Sequence, residues 1–438
     1  MRWVVGGQSF VNAYHSVLRN KGAAGVDGVK TEDLPRLLMH HWEQIKTELL
    51  EGSYRPQLVR GVSIPKSNGG VRQLGIPTVM DRLVQQAIHQ VLSPIWEKDF
   101  STFSYGFRPK RSAHHALSQA TEYINAGRQW IIDLDLKSFF DRVNHDKLMS
   151  LVSQRIGDKT LLRLIRRYLE SGLLKDGVVQ NRREGTPQGG PLSPLLSNIL
   201  LHELDKELEK RGHKFVRYAD DCSIFLTSRS AAERVLSSIT RFLNRSLHLE
   251  VNEEKTSICR PVHFELLGHG FVSSYKKGDR GKYRLCIAKQ SWNRLKEKIK
   301  IITRKTSPIL FEERIEQLNR LMYGWVNYFK QATGYQKLKT LDSWIRCRLR
   351  YCTRLPDGQV WKQWKRPKRR LRAFRQLGVE ESWARRFAYS RMGGWAIACS
   401  PIMGTTVTEE RLRQKGYIPF LEYFLRRKYG EKSKPKSS

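Results

Sequence analysis

Short stretches in the middle of the chain alternate hydrophobic and polar residues, and this period of two predicts β-strands. The first runs from Trp130 to Leu136 and places Asp133 and Asp135 on one face. Two further runs, Lys214 to Arg217 and Cys222 to Leu226, are separated by four residues and predict a hairpin. The predicted strands therefore carry acidic side chains at or near their ends.

The predicted hairpin turns at Tyr218-Ala219-Asp220-Asp221, so two carboxyl groups stand side by side at its tip. Like charges this close repel each other unless a cation lies on them. A divalent metal ion that faces a phosphate chain is the usual reason for such a pair. The alternative is a solvated turn, because Asp is a common turn residue. The tetrapeptide alone does not decide between the two.

A two-metal site for phosphoryl transfer needs several carboxylates that converge on ions about 3.5–4 Å apart. A neighbouring strand is the expected source of the third, and Asp133, Asp135 and Asp141 are the candidates. A buried acidic strand without a cation would be costly. The alternative is an edge strand with its acidic face in water, and the nearby pair of acids disfavours it.

A period of 3.6 residues predicts helices around these strands. Ser112 to Ala126 has an N-cap serine and ends at Gly127. A second helix opens at Ser193-Pro194, with Pro194 at the first position, and ends at Gly212. A third covers Ala231 to Leu247.

The C-terminal part of the chain changes character after a polar, glycine-containing turn at Ser273 to Lys282. From Trp292 to Arg350 the pattern is mostly helical, with Trp, Tyr and Leu among Arg and Lys. Leu371 to Tyr429 is basic and helical, and the last eight residues are polar and predicted to be disordered. These shifts place domain boundaries near residues 130, 280 and 372.

Charge indicates the class of partner. The chain has 438 residues, with 79 Lys and Arg against 42 Asp and Glu, and a formal net charge of +37. This favours a polyanion, nucleic acid first and an anionic membrane surface second. No apolar run approaches the roughly 18 residues of a membrane-spanning helix. Six scattered cysteines without a CxxC pair indicate reduced thiols, so we expect a cytoplasmic protein.

Ten blocks occur in an order that carries a family resemblance. They are GAAGVDG from Gly22, IPKSNGGVRQLGIPTVMDRLVQQA from Ile64, FSYGFRPKRSAHHA from Phe103, DLDLKSFFDRVNHD from Asp133, GTPQGGPLSPLLSN from Gly185, YADD from Tyr218, NEEKT from Asn252, LLGHGF from Leu266, LNRLMYGWVNYF from Leu318 and WKQWKRPKRR from Trp361. Together they resemble a group II intron reverse transcriptase and maturase of bacterial type. The resemblance covers nearly the whole chain and is far more specific than YADD alone.

The resemblance implies an α+β fold, the right-hand polymerase. Fingers with an N-terminal extension would cover residues 1–130, with 155–200 also in the fingers. A palm with an antiparallel sheet and the catalytic motifs would cover 131–280. A helical thumb or maturase domain would cover 281–372, and a small DNA-binding region with the disordered tail 373–438.

The resemblance also implies the chemistry, RNA-directed addition of dNTPs to a primer 3′-OH with two Mg²⁺ ions, or Mn²⁺ in their place. Asp135 and Asp220 match the residues that bridge both ions, and the Leu136 carbonyl matches a ligand of the nucleotide-bound ion. Asp221 matches the second acid of the hairpin. Lys255 matches a lysine proposed to protonate pyrophosphate; its alternative is an ordinary surface lysine.

Substrate contacts follow from the same resemblance. Lys66 and Arg72 flank a hairpin signal, Asn68-Gly69-Gly70, and match residues that bind the triphosphate. Phe140 matches the ring beneath the sugar that excludes a 2′-OH, with core packing as its alternative. Further nucleotide, primer and template contacts are implied for Gln188, Gly189, Tyr218, Ala219, Gly268, Gly270, Arg108 and Arg111.

A dense cluster of cations and aromatic rings near residues 344–375 favours RNA binding, although a charge run is usually a solvated face. The residues we expect to contact intron RNA are Arg346, Arg350, Trp361, Lys365, Arg366, Lys368, Arg369 and Arg370. The other expected partners are an RNA template, a DNA primer or target DNA, and dNTPs, and a homodimer is an open alternative to a monomer.

The chain departs from the longest members of the family in one respect. It shows no paired CxxC and no HNH-like cluster, so we expect it not to cleave the second DNA strand itself. Two other functions stay open: a maturase that only binds intron RNA as a splicing cofactor, and a domesticated reverse transcriptase in defence or repair. The retained Asp135, Asp220 and Asp221 argue against the first of these.

Overall fold

The computed structural model describes residues 1–65, 70–275, 277–352, 366–376 and 378–430, with the side chain of Arg72 also outside the description. The chain forms two compact units, Met1–Phe264 and Glu265–Ser438. The finer division into fingers, palm, thumb and DNA-binding region stays a prediction. Helices and mainly antiparallel sheets are mixed in both units, which agrees with the expected α+β class, and the one parallel strand pair described, Val59–Pro65 with Leu173–Lys175, lies in the first unit.

Nine helices are described in the first unit. They are α1 Arg2–Val5, α2 Gly7–Asn20, α3 Leu34–Glu51, α4 Val79–Glu97, α5 Ala113–Asn125, α6 His145–Ser153, α7 Lys159–Glu170, α8 Ser193–Lys210 and α9 Arg229–Phe242. The predicted capping of α5 is confirmed, because the Ser112 side chain accepts a hydrogen bond from His115 N. Helix α8 begins at Ser193, so Pro194 is its second residue rather than its first.

Two four-stranded sheets organise the first unit. Strands β1 Val59–Pro65, β2 Val71–Ile76, β4 Leu173–Lys175 and β5 Val178–Gln180 form one, in the order β2-β1-β4-β5. Strands β3 Trp130–Leu134, β6 Lys214–Tyr218, β7 Asp221–Leu226 and β8 Ser257–Cys259 form the other, in the order β6-β7-β3-β8. The second sheet contains the predicted alternating strand and the predicted hairpin, and β3 lies at its centre rather than at an edge.

The core of the first unit joins α4 and α8 to the β6-β7-β3-β8 sheet. The apolar residues predicted to line one face of α8, Leu195, Ile199, Leu204 and Leu208, are all buried. At about 25 cal/mol per Å² of apolar surface removed from water, such a face stabilises the sheet that it covers. This packing fixes the sheet that carries the acidic residues.

The second unit combines a small antiparallel sheet with helices. Strands β9 Glu265–Leu266, β10 His269–Ser273 and β11 Tyr283–Ile287 are ordered β11-β10-β9. The helices are α10 Lys289–Ile302, α11 Phe311–Phe329, α12 Tyr335–Cys352, α13 Pro367–Gln376, α14 Glu381–Ala388, α15 Gly394–Ala398, α16 Pro401–Thr406, α17 Glu409–Gln414 and α18 Phe420–Tyr429. Buried Asp342 on α12 accepts hydrogen bonds from Phe420 N and Leu421 N, which fixes the start of α18.

None of the described helices has the length and apolarity needed to cross a bilayer.

Candidate active site

The hairpin between β6 and β7 presents the two adjacent acids as predicted. Tyr218 pairs with Asp221, so Ala219 and Asp220 form a two-residue turn. Ala219 has a φ of +60°, in the left-handed region that non-glycine residues rarely adopt. The surroundings must therefore stabilise the turn.

Buried Arg217 supports the turn from within. Its guanidinium makes two hydrogen bonds to the Asp205 carboxylate, at 2.7 and 2.6 Å, and both side chains are fully buried. It also donates to Ala219 O and to Asn198 Oδ1, each at 2.9 Å. A bidentate pair of this kind has a fixed geometry. Helix α8, which carries Asp205 and Asn198, is thereby connected directly to the turn that holds Asp220.

Gly106 closes the same turn from the other side. Its carbonyl accepts a hydrogen bond from Asn198 Nδ2 at 2.9 Å. A Cβ atom at this position would lie 2.2 Å from Ala219 N, so only glycine permits the contact. The Ser104–Phe107 segment therefore packs against the β6–β7 turn.

Asp135 follows β3, the strand that lies between β7 and β8. Leu134 pairs with Cys222, so Asp135 emerges beside the hairpin tip. Its backbone is held by the segment before β8: Asn252 N donates to Asp135 O at 2.8 Å, and Asp135 N donates to Thr256 Oγ1 at 3.1 Å. The third predicted carboxyl group is thus fixed next to the other two.

The carboxyl groups influence one another electrostatically. Burial, followed by the charges of Asp220 and Asp135, raises the pKa of Asp221 to about 6, and the charge of Lys255 opposes this rise. The Asp221 side chain keeps contact with solvent, although neighbouring protein atoms crowd its carboxyl group. Burial, with Asp221 and Asp135, likewise raises the pKa of Asp133 to about 7. Excess negative charge accumulates here, as expected for a site that receives cations.

Lys255 is the nearby cation. Its Nζ lies 3.6 Å from Asp135 Oδ2, and the side chain is more than half exposed. An exposed pair of this kind contributes little to stability. Lys255 therefore lies beside the acids, as the resemblance implies. Its role as a proton donor stays a prediction.

The donor chemistry of the site fits hard divalent cations, because Asp135, Asp220 and Asp221 offer only carboxylate oxygens and the Leu136 carbonyl follows directly. Within the described part of the chain, however, no three His, Cys, Asp or Glu side chains are arranged so that they enclose a metal ion. The acids are neighbours without forming a closed set of ligands.

Phe140 follows Asp135 by five residues and lies in a short 3-10 segment, Phe139–Asp141. The ring is half-buried and packs edge-to-face on Phe139, with 5.1 Å between the centroids. Its carbonyl accepts a hydrogen bond from Thr186 N at 2.6 Å, which ties it to the GTPQGG loop. Both proposed roles of Phe140, core packing and contact with a sugar, are compatible with this half-buried position.

Gln188 and Gly189 lie in the loop before α8. The Gln188 side chain donates to Asp141 Oδ1 at 3.4 Å, and its carbonyl accepts from Gly75 N at 2.8 Å. The loop is therefore attached to β2 on one side and to the Phe140 segment on the other. The contact of these residues with nucleotide stays a prediction.

The predicted triphosphate-binding residues are described only in part. The β1–β2 hairpin forms as expected, with Ile64 paired to Arg72 and Pro65 to Val71. Lys66 lies outside the described residues, and so does the side chain of Arg72.

A groove of about 930 Å³ runs past Tyr218. Its walls come from α2, α4 and the Tyr105–Arg111 loop, and they include Tyr105, Phe107, Arg111 and Gln86. Phe107 is half exposed, at 52%. Arg111 and Tyr218, two of the predicted template and primer contacts, therefore face the same open groove.

Arg108 lines the same groove, and its expected contact with the template stays a prediction. Its guanidinium is buried and binds Glu97, with one hydrogen bond at 2.7 Å and two at 3.1 Å. It also donates to Ser104 O at 2.9 Å. These bonds fix the loop that carries Arg111.

Gly268 and Gly270 lie in the second unit. Gly268 is in the turn between β9 and β10, with a φ of +74°, and its carbonyl accepts from Ser291 Oγ at 2.9 Å. Gly270 lies within β10 opposite Cys286. Their contact with primer stays a prediction.

The predicted RNA-binding residues divide into two groups. Arg366, Lys368 and Arg369 are exposed at the start of α13. Three others are engaged inside the second unit: Arg346 pairs with Glu409 at 3.0 Å, Arg350 donates to Val407 O at 3.0 Å, and buried Arg370 donates to Ser390 O at 3.0 Å. These three side chains would have to break their bonds within the unit in order to contact RNA. Trp361 and Lys365 lie outside the described residues.

Sequence reasoning did not identify the residues that support the site, namely Arg217, Asp205, Asn198, Gly106 and Thr256. One signal was available for the first pair. Strand alternation puts Arg217 on the same face as buried Phe215, where a charge needs a buried partner, and Asp205 follows the apolar Leu204 on α8. Nothing in the spacing of Gly106 or Thr256 indicates which turn each would contact.

Two family models match the chain. One, described as reverse transcriptase (RNA-dependent DNA polymerase), matches residues 64–271, and the other, described as group II intron, maturase-specific domain, matches residues 292–378. The first range contains the acidic site, and the second contains α10 to α13 with the exposed cations. A partial Cas6-RT-Cas1–Cas2 complex is a weak structural likeness, with 22% identity and a TM-score of 0.35 over 55% of this chain and 42% of that one.

Two relatives show how much of this chain, and how much of each relative, is matched. Protein YkfC of Escherichia coli (strain K12) is 36% identical over 313 residues, which cover 62% of this chain and 82% of that protein. Group II intron-encoded protein LtrA of Lactococcus lactis subsp. cremoris is 39% identical over 206 residues, 47% of this chain and 34% of LtrA, so the match spans about a third of LtrA. From these matches and the acidic site, the chain belongs to the reverse transcriptases of group II introns, RNA-directed DNA polymerases that carry a maturase-specific domain.

Proposed function

We propose that Asp135, Asp220 and Asp221 are the metal-binding and catalytic residues for dNTP addition to a primer 3′-OH on an RNA template. One observation carries the proposal: the end of β3 and the β6–β7 turn bring these three carboxyl groups into one electrostatic cluster, with Lys255 beside it. The acids of this cluster repel one another beside a solvent-exposed lysine.

Mg²⁺ at this site would supply activation of the primer hydroxyl and neutralisation of charge on the triphosphate. Asp135 and Asp220 would hold the ions through their carboxylates, aided by the Leu136 carbonyl. The Arg217–Asp205 pair and Gly106 keep the hairpin in place while substrate binds. Lys255 holds a proton at Nζ close to Asp135 and would donate it to departing pyrophosphate.

The surrounding residues suit a deoxynucleotide. Phe140 precedes Asp141, which accepts a hydrogen bond from the Gln188 side chain. This bond places the proposed sugar contact, Phe140, close to the proposed nucleotide contact, Gln188. Lys66 and Arg72 would bind the triphosphate from the β1–β2 hairpin. The half-buried ring of Phe140 has a fixed backbone, and a rigid ring can exclude a 2′-OH by steric contact.

Intron RNA is the second proposed partner, bound through the exposed cations Arg366, Lys368 and Arg369. These residues fall inside the range that matches the maturase-specific domain. Flexible exposed cations suit phosphate contacts, whose free energy comes largely from counterion release.

The direct test is primer extension with Asp220→Asn on an RNA template. We expect a loss of more than about 100-fold, because a metal ligand contributes several kcal/mol of charge stabilisation. The matched control is Asp176→Asn, which changes an exposed acid in the β4–β5 turn and should leave synthesis unchanged. Retained synthesis by Asp220→Asn, with intron RNA binding near normal, would remove the metal assignment.

A further inference from the structure

Helix α6 begins with a buried histidine to which the proposed mechanism assigns no role. His145 is 2% exposed, so its imidazole lies in the interior of the first unit. Asn144 caps the helix just before it, because the Asn144 side chain accepts a hydrogen bond from Lys147 N at 2.8 Å. The first turn of α6 is therefore fixed, and with it the backbone that carries the ring.

The imidazole uses one of its two nitrogens. His145 Nε2 lies 2.7 Å from Gly185 O, whereas Nδ1 is buried and pairs with no atom in the described part of the chain. A carbonyl oxygen can only accept a hydrogen bond, so the proton is on Nε2. Burial lowers the pKa of His145, although the bond to Gly185 opposes this, and the ring is neutral at pH 7.

A buried nitrogen without a partner costs free energy, and an apolar side chain at this position would avoid that cost. The imidazole offers one thing that an apolar side chain does not, a donor for Gly185 O. Gly185 is itself buried, so its carbonyl needs such a donor. His145 therefore has a specific partner and does more than fill a volume.

Gly185 lies directly against the segment that carries Phe140. Its φ of +85° is in the left-handed region that favours glycine. A Cβ atom at this position would lie 2.8 Å from Phe140 O and 2.8 Å from the carbonyl atoms of Asp141. Gly185 N also donates to Val143 O at 2.7 Å. The GTPQGG loop and the 3-10 segment are thus in contact backbone to backbone.

One peptide group joins the histidine to Phe140. The carbonyl of this group is Gly185 O, which accepts from His145, and its N–H is Thr186 N, which donates to Phe140 O at 2.6 Å. A peptide group is planar, so a bond that fixes its oxygen also fixes the direction of its N–H. A hydrogen bond to the oxygen also polarises the group and strengthens the N–H as a donor.

We propose that His145 is a positioning residue for sugar selection: by holding the Gly185–Thr186 peptide group, it fixes the backbone of Phe140 where the ring excludes a 2′-OH. The inference rests on the proposed function, in which Phe140 makes the sugar contact. A ring excludes an added hydroxyl only if it cannot yield, so the rigidity of its backbone determines the selectivity.

The test compares His145→Met with His145→Gln in single-nucleotide extension of a primer on an RNA template, with dNTP and with rNTP. The two side chains are equally long, and only Gln offers an N–H to Gly185 O. His145→Met should raise ribonucleotide incorporation relative to deoxyribonucleotide incorporation by about three- to tenfold, the factor that corresponds to one hydrogen bond. His145→Gln should stay within about twofold of the wild type.

A control separates selectivity from stability. Thermal unfolding of every variant sets an assay temperature at which all are folded. His202→Met replaces another histidine of the first unit whose buried Nδ1 pairs with no described atom and whose ring packs on Phe100, and it should leave sugar selectivity unchanged. If His145→Met does not fold, His145→Asn takes its place, because the shorter amide does not reach Gly185 O.

A double variant tests whether His145 acts through the Phe140 ring. Phe140→Ala removes the ring, so adding His145→Met to it should change sugar selectivity no further. A role confined to stability would not produce this dependence of one substitution on the other. Additive effects of the two substitutions on selectivity would overturn the inference.

Two further results would overturn it. One is unchanged selectivity for His145→Met where Phe140→Ala raises ribonucleotide incorporation, which would leave the sugar contact of the proposed function in place. The other is an equal effect of His145→Met and His145→Gln, because the bond to Gly185 O would then not matter. Unchanged selectivity for Phe140→Ala would instead refute the proposed sugar contact itself, and the inference with it.

Discussion

Asp133 and Asp221 show what the acidic cluster costs the protein before any cation binds. Burial and neighbouring charge raise the pKa of Asp133 to about 7 and that of Asp221 to about 6. A carboxyl with a raised pKa favours the folded state when protonated. Its contribution to stability is therefore complete below its ordinary pKa of 3.8 and is lost as pH rises through the raised value. At neutral pH the ionised carboxylates repel one another, and a bound cation would relieve that repulsion.

Phe140 has two candidate roles, exclusion of a 2′-OH and packing in the core, and the two predict different results for a substitution. If the ring excludes a 2′-OH, Phe140→Ala should raise ribonucleotide incorporation by about tenfold or more, since a steric clash commonly amounts to 1–3 kcal/mol. If the ring only packs, the variant should lose stability without a change in sugar selectivity. Single-nucleotide extension with dNTP and rNTP, alongside thermal unfolding, distinguishes the two, and Phe139→Ala serves as the control for packing.

At the scale of elements, the hairpin and α8 act as one structural piece. The β6–β7 turn contains a left-handed Ala219, and the bond from Arg217 to Ala219 O fixes it to Asp205 and Asn198 of α8. Movement of α8 would be transmitted to Asp220 through these bonds. The position of Asp220, the proposed metal ligand, thus depends on a buried ion pair.

Arg217→Met should destabilise the first unit by about 3–5 kcal/mol, because it leaves Asp205 buried without its cation. Arg217→Lys keeps the charge but loses the bidentate geometry, so its effect should be intermediate. Arg211→Met removes the surface pair with Glu207 and should cost under about 1 kcal/mol. Urea unfolding measures all three, and equal stability of the Arg217 and Arg211 variants would contradict the assigned role.

Elements with a strong local signal were predictable from sequence. The alternating run before Asp135, the hairpin and the N-cap of α5 are confirmed because each depends on residues next to one another in the chain. The roles of Arg108 and Arg370 were not predictable, because their partners lie in other loops and helices. An arginine in a basic sequence run does not show whether it faces solvent or the interior.

At the scale of the whole molecule, the net charge of +37 is shared between structural and exposed cations. Arg108, Arg217, Arg346 and Arg370 are bonded within their own units. Exposed residues such as Arg366, Lys368 and Arg369 remain for a polyanion. The number of basic residues therefore overstates the number of RNA contacts.

Replacing Arg366, Lys368 and Arg369 together with Ala should weaken intron RNA binding and lower its salt slope by about 2. Arg370→Ala should lower the stability of α13 and α14 instead, because Arg370 donates to two backbone carbonyls. A matched triple variant of exposed cations in the first unit, Arg19, Arg36 and Lys98, controls for net charge. Equal salt slopes for the two triple variants would place the RNA-binding surface elsewhere.

The most direct test of the acidic site is Mn²⁺ binding by electron paramagnetic resonance, with RNA template, DNA primer and dNTP present. At pH 8 the wild-type chain should bind two ions, and Asp220→Asn should lose them while Asp176→Asn keeps both. At pH 5 wild-type affinity should fall by about tenfold, because a carboxyl with a pKa of about 6 is then mostly protonated. Equal Mn²⁺ binding by Asp220→Asn and the wild type, without pH dependence, would contradict the assignment of these acids as metal ligands.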